Sequence, residues 1–559
     1  MVAFFILSGW LVAQESPSPK PGKAPSKDPC SIAGLVVKSG THEPLKKAHI
    51  YLQKEDDQKA GYSAHTDAAG HFVIPKIEPG RYELQVERTG YVTQSWGQDS
   101  GSPKSHGAIL TLDPGRKIQD LLFRMVPWAV ISGRITDEDG EPIPNVAVQA
   151  MRHYFNEGKR ELETEGVAQT NDLGEFRLFG LSKGRYFIRA QVSEGWRPSL
   201  SDSSAGDPGS PPETGYAPVY YPGTSDGSHA AVVDVNSGQE VPSVDFTFIP
   251  IRTFRIRGRA FDAIQGQPAK DCWLFLMPHD PSLTGFFRAG SQTNCNKGVF
   301  ELRDVAPGSY YVVAMLRSSS SERSYRARVP VEVTNTNVDD VNLTIGTGVD
   351  LVGRVLVEGT GTVDLSDLSV WLDDREDRFG FGGAGNVDLK PDGTLRIQNV
   401  AEGAYQVRIY SEPPDVYLRS ARANGEDVLE KELTIGAAGS RGPLEIVLSS
   451  AGARIEGTVT DENSLPSAGA VVALVPEAER RKQYRLYKNT TTDQYGKFIL
   501  RGAAPGQYKL FSWKEVENNA WEDPDFLKPF ENKGVEVNGE ENGHVTLALK
   551  LIPTEAPKQ

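Results

Sequence analysis

Thr66-Asp67-Ala68-Ala69-Gly70-His71-Phe72-Val73-Ile74, closed six residues later by Gly80-Arg81-Tyr82, decides the reading of this chain. The same skeleton recurs as Gly174-Glu175-Phe176…Gly184-Arg185-Tyr186, Gly298-Val299-Phe300…Gly308-Ser309-Tyr310, Gly393-Thr394-Leu395…Gly403-Ala404-Tyr405 and Gly496-Lys497-Phe498…Gly506-Gln507-Tyr508. Each pair of glycines is ten residues apart, and the second is followed two positions on by Tyr. A fixed spacing that returns roughly every hundred residues marks tandem domains rather than one large fold.

The local physics of the motif is that of two turns and the strand between them. Thr66-Asp67-Ala68-Ala69-Gly70 and Thr492-Asp493-Gln494-Tyr495-Gly496 read as hairpin turns. Asp caps backbone amides and Gly takes a positive φ. Phe72 and Ile74 then share a face, as do Phe176 and Leu178, Phe300 and Leu302, Leu395 and Ile397, and Phe498 and Leu500. Pro79-Gly80, Pro307-Gly308 and Pro505-Gly506 carry the type II signature, which predicts a left-handed second glycine. Lys183 and Glu402 replace the proline in the other two copies while the glycine stays. The tyrosine after it is expected in the core, its hydroxyl bonded to nearby backbone.

Upstream, each repeat opens on a glycine-bearing strand: Ile32-Ala33-Gly34-Leu35-Val36, Ile131-Ser132-Gly133-Arg134-Ile135, Ile256-Arg257-Gly258-Arg259-Ala260, Leu351-Val352-Gly353-Arg354-Val355 and Ile455-Glu456-Gly457-Thr458-Val459. Period-two alternation, a turn such as Asp137-Glu138-Asp139-Gly140, and further short strands such as Ala470-Val471-Val472-Ala473-Leu474 argue for all-β sandwiches. No repeat carries a convincing amphipathic helix.

The pattern resembles the carboxypeptidase regulatory-like domain, a transthyretin-like or Cna-B-like sandwich of about seven strands. The resemblance is carried best by Gly34…Thr66-Asp67…Gly70-His71-Phe72…Gly80-Arg81-Tyr82 and Gly457…Gly469-Ala470…Thr492-Asp493…Phe498…Tyr508, with the second repeat close behind. The third and fourth depart from it, with Cys295 and Lys390 in place of the turn Asp and Leu395 in place of Phe. The expected architecture is a tandem array of about five immunoglobulin-like or transthyretin-like β-sandwich domains. Its boundaries are read as a leader at 1–13, a Pro/Ser/Lys linker at 14–29, sandwiches at 30–126, 127–250, 251–347, 348–450 and 451–553, and a polar tail at 554–559. The second sandwich contains a loop insertion at 196–227.

Val2 to Val12 is an apolar run of eleven ahead of polar Gln14-Glu15-Ser16, which fits a secretory leader and is too short to span a bilayer. It lacks a leading Lys or Arg, so Met1 reads as lying inside a longer leader. Export to the periplasm, envelope or exterior is the expectation. With 559 residues, 38% hydrophobic, and a net charge of −14, the chain is globular and carries no basic surface for nucleic acid. Three cysteines exclude a disulfide-built scaffold. Cys272 and Cys295 lie in one repeat, either bridged or as two small buried hydrophobes.

Catalytic signatures are sparse. None of the nine histidines has Glu three residues on, as a zinc carboxypeptidase centre requires, and no Walker loop occurs. Gly223-Thr224-Ser225-Asp226-Gly227 matches the Gly-x-Ser-x-Gly form but lies in a polar loop, not between a buried strand and a helix. Asp137-Glu138-Asp139 and Asp373-Asp374…Asp377 are the candidate Ca²⁺ ligands, though neither follows the EF-hand spacing. No other cofactor is expected. A lysine in a first strand, which Cna-B isopeptide cross-links would require, is absent, because those strands carry Arg or apolar residues.

The insertion offers Trp196, Tyr216, Tyr220 and Tyr221 amid polar residues as a candidate binding surface for polysaccharide or an envelope protein. Against that, Tyr220 and Tyr221 can begin a strand packed on Phe246 and Phe248. The leading expectation is an exported, non-catalytic structural or adhesion-type protein, and the alternative is carbohydrate binding through exposed aromatics.

Overall fold

A computed structural model of the chain describes residues 28–98, 106–192, 214–216, 218–224, 227–270, 272–279, 292–317, 324–346, 348–361, 363–374, 387–410, 413–436 and 442–553. The leader at 1–13, Trp196 and Asp377 therefore lie outside the described residues.

Five separate hydrophobic cores follow one another along the chain, each built from the alternate residues of its own strands. In the first sandwich, Cys30–Lys38 lies between His71–Ile77, antiparallel, and Lys117–Met125, parallel. The facing sheet orders Asp57–His65, His49–Lys54 and Gly80–Glu87, which also pairs with Gln94–Ser95 and Leu110–Leu112. The fifth repeats the plan, with Ala453–Thr460 between Lys497–Ala503 and His544–Lys550, facing Lys488–Thr491, Val471–Pro476, Gly506–Trp513 and Val535–Gly539. The fourth departs from it: Val387–Leu389 joins the sheet of the opening strand, which also gains Tyr417–Ala423 and becomes six-stranded.

The opening-strand glycine exists because the parallel closing strand passes over it. A Cβ on Gly34 would sit 2.2 Å from the Leu121 carbonyl oxygen, and on Gly457 only 1.9 Å from that of Leu547. The motif Phe72 and Phe498 rings lie against the same bare Cα, at 2.8 and 3.0 Å from such a Cβ. Strand pairing and core packing thus meet at one point that only glycine leaves open.

The two motif glycines have different reasons. The first is left-handed in every copy, with φ of 78°, 72°, 81°, 83° and 71° at Gly70, Gly174, Gly298, Gly393 and Gly496. The second departs from the type II expectation: Gly80, Gly184, Gly308 and Gly403 lie outside the left-handed region, and Gly506 alone has a positive φ, at 150°. Its use is steric. The ring of the tyrosine two residues on folds back over it, so that Tyr82 Cε2 would lie 3.3 Å from a Cβ at Gly80. From there each hydroxyl donates to the carbonyl four residues before it: Tyr82 to Glu78 at 2.7 Å, Tyr186 to Ser182 at 2.9 Å, Tyr310 to Ala306 at 3.1 Å, Tyr405 to Ala401 at 2.9 Å and Tyr508 to Ala504 at 2.8 Å. Burial pushes the Tyr186 phenol up to about 12, so it remains a donor at any ordinary pH. Gly80→Val should displace the Tyr82 ring and lower the stability of the first sandwich by about 2 kcal/mol. A calorimetric profile unchanged from wild type would refute this account.

A threonine staple joins the motif turn to the second strand. Thr66 Oγ1 accepts from Ala48 N and donates to Leu45 O, Thr170 joins Val146 N to Ile143 O, and Thr492 joins Ala470 N to Ser467 O. In the third sandwich this position belongs to Cys295. Its N–H donates to Cys272 O, as Thr66 N–H does to Ala48 O, and its sulfur lies 3.5 Å from Ala269 O. Cys295 thus stands in for the staple threonine rather than for the turn Asp, and the Cys272–Cys295 disulfide ties the two segments that the hydroxyl ties elsewhere. A Cys272→Ala/Cys295→Thr variant should therefore be about 1 to 2 kcal/mol more stable in a denaturant melt than Cys272→Ala/Cys295→Ala. The bridge itself is worth about 3 kcal/mol for a loop of this size. Equal midpoints for the two variants would sink the equivalence.

Candidate functional site

The described residues of the second-repeat insertion are drawn into the sandwich. Thr214–Tyr216 pairs with Pro250–Arg252, and the Tyr216 ring stands edge-on to Phe248 at 5.6 Å. Val219–Tyr220 pairs with Arg189 and Ala190. Tyr220 is buried against Met151, with the Arg189 guanidinium 5.9 Å from its ring centre. Burial lowers the Arg189 pKa, and the Tyr220 hydroxyl opposes that shift. Tyr221 packs on Phe246 at 5.8 Å and precedes a cis peptide bond to Pro222. The three described aromatics of the insertion are thus packed against residues of the sandwich.

Beside Pro222 and Gly223 they leave a cleft of ≈ 400 Å³, lined by Arg134, Thr136, Asp245, Phe246, Thr247 and Ile249. The Asp245 carboxylate accepts from Arg134 N at 2.7 Å, and the Arg134 guanidinium donates to Leu173 O. Gly223 and Thr224 of the Gly-x-Ser-x-Gly match lie on a tight turn closed by Tyr220 and Thr224, and Ser225 and Asp226 are outside the described residues.

Three of the acidic candidates have other partners. Asp137 caps the amides of Asp139 and Glu141, Asp373 pairs with Arg408, and Asp374 pairs with Arg328. Among the described residues no group of three or more His, Cys, Asp or Glu is arranged to hold a metal ion. Glu301 is enclosed instead by arginines. Burial alone would raise its pKa, but Arg257, Arg255 and Arg303 outweigh burial and hold it at about 2.

The most elaborate surface is one that the sequence reading missed, on the fifth sandwich. Its strand Gly506–Trp513 is followed by a long excursion through 3₁₀ turns at Ala520–Glu522 and Lys528–Lys533 and a short helix at Pro524–Leu527. This folds an aromatic layer over the outer face of the sheet. Trp513 stacks on Phe511 at 5.5 Å and on Trp521 at 6.4 Å, and contacts Phe526 and Phe530, each at 5.9 Å. The layer is completed by Phe155 from the second sandwich, 6.3 Å from Phe526.

The fifth sandwich also docks on the first. Its motif turn pairs Asp493 with Ile109, accepts the Thr111 hydroxyl on Asp493 Oδ2 at 2.8 Å, and faces Arg81 at 3.7 Å. Gln494 both accepts from Thr111 N at 2.9 Å and donates to Thr111 O at 2.7 Å. Asp493 is only 1% exposed, so this contact is a buried one. Against the fourth sandwich, Tyr417 donates to Glu541 at 3.0 Å, Arg419 pairs with Glu541 at 3.0 Å, and Arg485 pairs with Glu430 at 2.6 Å. The array therefore folds back on itself, with the fifth sandwich meeting the first, second and fourth.

These features define a tandem array of β-sandwiches with a regular glycine, threonine and tyrosine framework. The family model of the carboxypeptidase regulatory-like domain matches residues 31–104 and 130–206, within the first two sandwiches, and an opening strand held between an antiparallel and a parallel neighbour recurs along the chain. No curated protein matches the chain. Among solved structures, the Bacillus anthracis TIE protein aligns at 12% identity over 56% of this chain and 50% of its own, with a TM-score of 0.16. The chain thus spans about half the length of that structure. The major pilin subunit BcpA of Bacillus cereus aligns at 11% identity over 56% of this chain and 99% of its own, TM-score 0.14. The minor pilin GBS52 of Streptococcus agalactiae aligns at 10% identity over 40% and 96%, TM-score 0.22.

Proposed function

We propose that this chain is an exported, non-catalytic scaffold that acts through its surfaces, as an interaction or adhesion-type module of the envelope or the exterior. The observation that carries this reading is the buried docking of the fifth sandwich on the first through Asp493, Gln494, Thr111 and Arg81, which gathers the modules into one body. The leader-like Val2 to Val12 and the Cys272–Cys295 disulfide support an oxidising destination. No helix among the described residues is long and apolar enough to cross a membrane. Fractionation of a bacterial host expressing the chain with a leader, followed by thiol labelling, tests the reading. The expected result is protein outside the cytoplasm with Cys272 and Cys295 unreactive. Cytoplasmic protein with both thiols labelled, or turnover in peptidase and esterase screens, would overturn it.

Carbohydrate binding is the second reading, and the cleft beside Pro222 favours it by placing Phe246 and Ile249 next to Arg134 and Asp245. Glycan-array binding lost in Ile249→Ala would support it, and silence across the polysaccharides tested would remove it. Tyr220→Ala is unsuited to that test, because Tyr220 is part of the packing.

A further inference from the structure

The hairpin that the second sandwich extends to the fifth ends in a two-residue turn, Glu157-Gly158, both residues at positive φ. Its tip is held in three ways. Phe155 enters the aromatic layer, and Asn519 donates to its carbonyl oxygen at 3.5 Å. Gly158 lies so close that a Cβ would be 2.9 Å from Glu522 O and 3.0 Å from the Tyr484 hydroxyl. Glu157 pairs with Arg408 of the fourth sandwich, which also lies 3.0 Å from Asp373 Oδ2. Three sandwiches thus meet around one guanidinium and three carboxylates, those of Glu157, Asp373 and Glu522.

We propose that this hairpin is a proton-controlled latch: it is seated when Glu522 is protonated and released from the fifth sandwich when Glu522 ionises. The charge count at the junction is the physical reason. Arg408 balances one of the three carboxylates. From the fourth sandwich, Asp374 and Tyr410 stand beside Asp373 and Arg408, and Arg328 of the third engages Asp374. From the fifth, Tyr484 and Tyr487 border the site, and from the hairpin His153 faces Glu517 and Arg160. Arg160 is itself stacked 5.9 Å from the Phe155 ring.

Burial, and after it the Glu157 charge, pushes Glu522 up to about 7, although the amides of Glu157 and Gly158 and the Arg408 charge pull the other way. Asp373 is raised as well, by burial first. A carboxyl whose docked pKa exceeds its free value contributes binding that is complete below the free value, near 4.5, and lost as pH rises through the docked one. The latch therefore holds in acid, loosens as pH rises toward about 7, and is fully loosened above it. The latch acts independently of whatever the scaffold binds.

Hydrogen exchange of the intact chain between pH 5.5 and 8.5, corrected for intrinsic exchange, is the test. Protection in 151–160 and 514–530 should fall with rising pH by up to about tenfold per unit below about 7, and level off above it. Glu522→Gln, which keeps the neutral shape, should hold that protection flat across the range. Phe155→Ala should lower it at every pH while leaving protection in the second-sandwich core intact. A flat wild-type profile, or a Glu522→Gln profile that titrates like wild type, would overturn the proposal.

Discussion

Gly457→Val unfolds the fifth sandwich. The new Cβ would lie 1.9 Å from the Leu547 carbonyl oxygen and 3.0 Å from the Phe498 ring, and neither can move without cost. Shifting Leu547 breaks the parallel register that runs from Arg454↔His544 to Thr460↔Lys550, and shifting Phe498 opens the core. A branched side chain adds two more methyl groups to the same spot. The expected loss is about 4 kcal/mol or more, a large part of what one such domain possesses. Calorimetry should show one transition missing. Limited proteolysis should cut within 451–553, and the partners of the fifth sandwich on the first and second should become exposed. A wild-type profile would mean that the close approach at Gly457 is not a real constraint.

Trp513→Ala should be the next most damaging change. Its indole is fully buried, stacked nearly parallel to Phe511, with a 5° interplanar angle, and contacted by Trp521, Phe526 and Phe530. Removing it leaves a cavity in a layer that has little else to fill it, at a cost of about 3 to 5 kcal/mol. Trp513→Phe should recover a substantial part of that loss. The excursion at 514–534 should become the first site of protease attack in the alanine variant, and Phe155 should lose its seat. Equal denaturation midpoints for wild type and Trp513→Ala would show that the excursion is held by something other than this layer.

What was legible in the sequence was whatever repeats. The ten-residue spacing, the alternation around Phe72 and Ile74, and the opening-strand glycines predict the sandwiches, because a constraint imposed five times leaves five copies of itself. The positive φ of Gly70 followed from turn chemistry. The reason for Gly80 did not, since it depends on where the Tyr82 ring goes after the turn, and a Pro-Gly pair looks the same in either case. Cys295 was aligned to the turn Asp by counting from Gly298, whereas the backbone bond to Cys272 places it one position earlier in the structural frame. A loop one residue shorter shifts the count and leaves no other trace.

The interaction surfaces were the least legible part. Thr492-Asp493-Gln494 reads as one more motif turn, yet Gln494 and the second oxygen of Asp493 engage the first sandwich. Nothing local separates a turn that only caps itself from one that also grips a partner. Tyr216, Tyr220 and Tyr221 read as exposed because they are aromatics in a polar stretch, whereas Tyr216 and Tyr220 join sheet edges and Tyr221 packs on Phe246. Trp513, Trp521, Phe526 and Phe530 carried the same signal at 513–530. No single periodicity runs through them, because Trp513 ends a strand whereas Trp521, Phe526 and Phe530 sit on successive short turns.

The Ile109↔Asp493 bridge has a consequence for how the chain is made. Its two ends are separated by most of the polypeptide, so the contact is of very high order, and its formation must wait for the last sandwich to emerge. Each earlier module can reach its own native state during synthesis, one after another. The grip on Ile109 and Thr111 cannot form until some four hundred further residues exist and have folded. Closing so long a loop is entropically affordable, because the cost grows only with the logarithm of its length and folded modules shorten it further. Between those two moments the nascent protein is a string of finished beads with an open clasp, and any chaperone or neighbouring chain that engages it meets that form first.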